Sequence, residues 1–103
     1  MSGESYTLVR DIEGGDIVRL DFRWNANKSK IIDFTINVSL IEGENIVEVY
    51  RMDTKHGYPH EHRFWSSQRP KRLDVNYNKL FIEKKAEVLE NYHRWILLFK
   101  QNR

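Results

Sequence analysis

The stretch MDTKHGYPHEHRFW, residues 52–65, holds three of the chain's four histidines, His56, His60 and His62, within seven positions. Arg51 and Asp53 stand just before or inside it. Imidazole, guanidinium and carboxylate groups in such proximity support three kinds of chemistry. His-x-x-x-His-x-His offers three neutral nitrogen ligands to a metal ion. His60 and His62 would point to one side of a strand, Asp53 would add a carboxylate, and His56 would fold back from the loop to join them. The same residues can instead cleave RNA without a metal or other cofactor. One histidine takes the proton of a ribose 2′-hydroxyl, a second protonates the leaving oxygen, and a cation stabilises the charge that builds on phosphorus. His60 and His62 are the acid/base candidates, with His56 as a third. Arg51 is the phosphate clamp through its planar fork, and Asp53 orients a histidine. Arg63, Arg69, Lys71 and Arg72 are candidate backbone contacts to nucleic acid, and Tyr58, Phe64 or Trp65 could stack a base. The third reading is architectural: a polar sheet end with cross-strand hydrogen bonds, an Arg51–Asp53 ion pair, and Gly57 and Pro59 as turn residues.

Positioning these groups requires strands. Val18, Leu20, Phe22 and Trp24 alternate with charged residues, as Ile32, Phe34, Ile36, Val38 and Leu40 do with polar ones, which predicts two strands with one buried face each. Residues 25–30 form the loop between them, and a further short strand is expected around residues 6–10. Gly43-Glu44 suits a type II′ turn, setting Leu40 opposite Val47 and Val38 opposite Val49. The third strand then carries Val47, Val49, Arg51 and Asp53 on its core face. Pairing Asp53 with His60 puts Arg51 opposite His62 and Val49 opposite Phe64, leaving Glu48, Glu61 and Arg63 outside. On this reading Arg51, Asp53, His60 and His62 share the face that elsewhere forms the core.

After the basic stretch SSQRPKR, the positions Ile82, Val88, Leu89, Tyr92, Trp95, Ile96 and Phe99 recur at helical spacing over residues 78–101. The run Trp95-Ile96-Leu97-Leu98-Phe99 is apolar nearly all round, which suits an end wedged against the sheet, a second subunit or a partner protein. His93 is expected at the helix surface. The fold class is therefore α+β: an antiparallel β-meander of four to five strands packed on one face by a long C-terminal helix, in a single domain over residues 1–103.

Composition limits the partners. A formal charge of +2 is too small for a protein that coats DNA through charge alone. No cysteine is present, which excludes thiolate zinc sites, disulfides and a cysteine nucleophile. No apolar run approaches the ~18 residues of a membrane span. The N-terminus is too polar for a signal peptide, so a cytoplasmic protein without membrane contact is expected.

The order of elements, a strand ending Val-Tyr-Arg-Met-Asp, a glycine-containing loop, a His-x-His pair and a C-terminal helix, resembles the small toxins of the TumE family. The matching residues are Arg51, Asp53, Gly57, His60 and His62; Met52 stands where that family has an aromatic residue, and the helix here is longer. The resemblance implies a toxin-antitoxin protein directed at RNA and paired with a cognate antitoxin, and with the histidine pair it makes a metal-independent ribonuclease the leading expectation. A non-catalytic module that binds protein or nucleic acid, and a small metal-binding protein, are the alternatives, and a homodimer is compatible with each.

Overall fold

The computed structural model describes residues 2–12, 15–55, 57–67, 69, 71–72 and 76–103. Five antiparallel strands follow one another as a meander: β1 (Ser2–Ile12), β2 (Asp16–Asn27), β3 (Lys30–Glu42), β4 (Asn45–Asp53) and β5 (His60–Arg63). A two-residue strand, β6 (Lys71–Arg72), extends the far edge, and one helix, α1 (Tyr77–Asn102), covers one face. This is the α+β architecture the alternation and helical spacing predict. The N-terminal strand is longer than residues 6–10. The β2–β3 connection is tighter than residues 25–30, because Asn27 pairs with Lys30 and Lys28 takes a φ of 59°. Gly43 turns the β3–β4 hairpin at φ 61°, as its lack of a Cβ permits.

The core lies between sheet and helix. Val18, Leu20, Phe22, Phe34, Ile36, Val38, Leu40, Tyr50 and Met52 meet Leu80, Phe81, Val88, Trp95 and Ile96 of α1. Phe34 packs edge-on to Phe81 at 5.3 Å, and Tyr50 stacks on Trp95 at 4.6 Å between centroids. Such pairs add about 0.5–1.5 kcal/mol beyond the area they bury. Asn76 caps the helix by accepting from Lys79 N. Asn78 ties the helix to the β2–β3 turn, accepting from Ile31 N and donating to Ser29 O, both at 2.9 Å. The helix crosses the sheet with Ile82 and Leu89 turned to solvent, at 66% and 40% exposure, so these two do not join the apolar face assigned to them from spacing. Of the apolar run, Trp95 and Ile96 are buried and Leu97 is exposed.

One residue decides which way the histidines point. Leu40 pairs with Val47 and Ser39 with Glu48 as the turn dictates, but Val38 then pairs with Tyr50, leaving Val49 as a β-bulge. An extra residue in one strand reverses the side-chain alternation beyond it. Val49 and Tyr50 are consecutive and both fully buried, so Met52 follows Tyr50 inward while Arg51 and Asp53 turn to the opposite face. The expected pairing of β4 with β5 holds: Arg51 faces His62 and Asp53 faces His60. The expected facing is reversed. Arg51, Asp53, His60 and His62 lie on the sheet face away from α1, with Phe64 stacked on His62, whereas Glu61 and Arg63 face the helix.

Candidate active-site face

Two rows of polar side chains cross the helix-free face. One runs Thr7, Asp21, Asn37, Arg51, His62 through successive strand pairings; the next runs Ser5, Arg23, Thr35, Asp53, His60. Histidines two apart on a strand are about 7 Å apart along it, and both rows end on them. Asp53 organises this end. Its carboxylate lies 3.6 Å from His60 Nδ1 and 3.3 Å from Arg51 Nε, and accepts from Lys55 N at 3.2 Å. Arg51 Nη1 also donates to both oxygens of Glu48 at 3.0 and 3.2 Å, and Glu48 accepts from Asn37 at 3.0 Å. Glu48 is thus part of the cluster, though its expected place outside the core face gave no hint of it. Its signal is the Glu-x-x-Arg spacing across the bulge.

His62 stacks on Phe64 at 3.8 Å between centroids with an 18° tilt, and Arg51 lies 5.5 Å from the same ring. Partial burial, then the Arg51 charge, hold the His62 imidazole below its ordinary 6.5, with Glu48 opposing and His60 adding to the depression. His62 is therefore mostly neutral at pH 7. Tyr58, a residue of the loop, joins His60 at 6.0 Å between ring centroids. Beside Asp53 opens a cleft of about 360 Å³ bounded by Asp33, Phe34, Thr35, Thr54 and Lys55.

The other expected site residues divide. Arg72 occupies the register position opposite His60, and Lys71 the one opposite Glu61. Arg69 is exposed beyond β5. His56 lies outside the described residues. Arg63 is not a contact on the outer face: it donates to Glu61 at 2.9 Å and to Glu87 at 2.8 Å, and lies 5.2 Å from the Trp95 ring. Among the described residues no group of three or more His, Cys, Asp or Glu side chains is placed to hold a metal ion.

Arg63 belongs to a second polar cluster, on the helix side. Glu61, 6% exposed, pairs with Lys84 at 2.8 Å and accepts from Tyr50 Oη at 2.7 Å; Lys84 also reaches Glu87 at 3.0 Å. Burial raises the Glu61 carboxyl, but hydrogen bonds from Arg63, Lys84 and Tyr50 outweigh it and hold the group down at about 2. Burial first, and then the Glu61 charge, push the Tyr50 phenol far upward. Every member of this cluster is paired within it, which marks a clamp between β5 and α1 and not a surface for substrate.

The chain belongs to the family described as DUF7718, a domain of unknown function, whose model matches residues 1–103. No curated protein and no solved structure matches it. Among the described residues no helix is long and apolar enough to cross a membrane.

Proposed function

We propose that the helix-free face binds single-stranded RNA and cleaves it without a metal, and that the protein acts as the toxin of a toxin-antitoxin pair. The observation that carries this reading is the outward pair His60 and His62, faced across the strand by Asp53 and Arg51. Acid/base transfer needs two imidazoles in reach of one phosphodiester, and the spacing of about 7 Å along a strand straddles one. His62, held neutral by partial burial and Arg51, takes the 2′-hydroxyl proton. The 2′-oxygen attacks phosphorus, the 5′-oxygen leaves with a proton from His60, and a 2′,3′-cyclic phosphate and a 5′-hydroxyl result. Asp53 orients His60, and Arg51 stabilises the phosphorane. Phe64 and Tyr58 provide faces on which a base stacks, and the cleft beside Asp53 is in the size range of small-ligand sites. The likeness of Arg51, Asp53, Gly57, His60 and His62 to the TumE toxins supports the same assignment and supplies the expected antitoxin partner.

A second reading is favoured by one observation. Arg51 is already shared by Glu48 and Asp53, so a phosphate must compete with two carboxylates for it. A face that binds RNA or a protein without cutting would tolerate this arrangement better. Incubating the purified chain with single-stranded RNA in excess EDTA, beside His60→Gln and His62→Gln, separates the two. Cleavage by wild type, lost in both variants at unchanged melting temperature, supports the ribonuclease. RNA binding without cleavage supports the module. If the chain neither binds nor cleaves RNA, RNA is not its target.

A further inference from the structure

The sheet ends very differently at its two edges. β6 is two residues long, whereas β1 presents eleven residues with no proline and no lysine. Long unpaired edges usually carry proline, lysine or unmatched charges that block a further strand; the charges of β1, Glu4, Arg10 and Asp11, include both signs, so only a strand in a complementary register can match them. Tyr6 and Leu8 on its helix side are only partly buried, and Val9 on the outer side is 55% exposed.

We propose that β1 pairs antiparallel with β1 of a second copy, about a dyad at Thr7, to join two sheets into one. The register follows from backbone parity and charge. Only alternate residues of an edge strand turn N–H and C=O outward, and in an antiparallel pair these must oppose their like. The two numbers of each opposed pair therefore sum to an even value, which also keeps both helices on one side of the joined sheet. Three central dyads satisfy this, at Tyr6, Thr7 and Leu8. A dyad at Tyr6 sets Glu4 against Leu8, and one at Leu8 sets Glu4 against Ile12 and Arg10 against Tyr6. Only the dyad at Thr7 sets Glu4 against Arg10, twice by symmetry, with Tyr6 against Leu8 on the helix side and Ser5 against Val9 outside. Opposite charges and apolar partners thus meet in a single register, the self-complementarity a two-fold interface requires. Glu4 and Arg10 are both exposed in the single chain. The histidine face belongs to β4 and β5, so this inference stands apart from the ribonuclease reading.

Sedimentation of the full chain tests it. Wild type is expected as a dimer whose dissociation constant rises about tenfold or more in Glu4→Arg and in Arg10→Glu, and returns in the doubly exchanged variant. The chain has no cysteine, so single thiols report register without interference. Thr7→Cys should crosslink on oxidation, because it alone stands directly opposite its own copy across the dyad, within a small strand movement of disulfide reach. Val9→Cys, opposite Ser5, should not. A monomeric wild type, a dimer indifferent to both single reversals, or crosslinking at Val9→Cys equal to that at Thr7→Cys would overturn the proposal.

Discussion

Replacing Glu61 by Gln keeps its volume and removes the charge on which the clamp between β5 and α1 depends. Lys84 and Arg63 would then share Glu87 alone, and Tyr50 Oη would lose its carboxylate acceptor. Holding the Glu61 carboxyl at about 2 in place of 4.5 amounts to roughly 3 kcal/mol of preference for the folded carboxylate. Breaking a buried pair by removing one partner costs about 3–5 kcal/mol, of the same size. Because the folded value is depressed, this stability is present above about pH 4.5 and lost as pH falls through about 2. Urea unfolding of wild type and Glu61→Gln from pH 7 to pH 2 measures it. The variant should be less stable by about 3 kcal/mol at pH 7, and the gap should close between pH 4.5 and 2. The difference cancels the other carboxyls, which titrate in both proteins. Parallel curves over that window would refute the argument, and so would a loss below about 0.5 kcal/mol at pH 7, which is the size of an ordinary surface change.

Phe34→Ala, Val38→Ala and Trp95→Ala remove side chains no more than 3% exposed, and the two aromatic truncations should cost about 3–5 kcal/mol, with Val38→Ala lower, by denaturant unfolding. Ile82→Ser and Leu89→Ser, on the solvent side of α1, should change stability far less than Val88→Ala in the same assay. Tyr50→Phe should cost about 1–3 kcal/mol, because it strips a hydrogen bond from a buried carboxylate, and should raise the pH at which the Glu61 contribution is lost. Arg51→Lys should lower RNA cleavage while leaving the melting temperature near wild type, since a point charge cannot reproduce the guanidinium fork. The rate of cleavage by wild type should be bell-shaped in pH, its acidic limb lying below 6.5 as His62 becomes protonated.

Alternation is a local property, and β2, β3 from Phe34 to Leu40 and the β3–β4 turn were readable because each obeys one period there; Ile32 was not, since the register shifts between Asn25 and Ala26, leaving Ile32 39% exposed while Ile31 packs against the core. The β4–β5 pairing was readable as well, since Asp53 and His60 bound a short loop. The facing was not. A bulge at Val49 inserts one residue without changing composition, and Val-Glu-Val followed by Tyr-Arg-Met reads as either alternation until the pairing across β3 is known. The apolar residues Tyr50 and Met52 were the available signal, against an acidic Glu61 that seemed unfit for an inner face. Glu61 is fit because Lys84, three residues before Glu87 on α1, arrives from the distant helix to neutralise it. Such long-range pairing leaves no periodic trace. Ile82 and Leu89 were assigned inward because an apolar residue at helical spacing is the usual mark of a core face, whereas the helix turns Lys84 and Glu87 partly inward instead.

The proposed proton transfer by His60 and His62 requires a ribose 2′-hydroxyl, and a chimeric oligonucleotide tests that requirement. A single-stranded RNA cut by the protein in EDTA is remade with one 2′-deoxy sugar at the mapped position, and the products are analysed by mass. A 2′,3′-cyclic phosphate and a 5′-hydroxyl are expected from the all-RNA strand, and no cut at the deoxy position. Cleavage there at an undiminished rate, or ends bearing a 5′-phosphate, would contradict the proposed transfer.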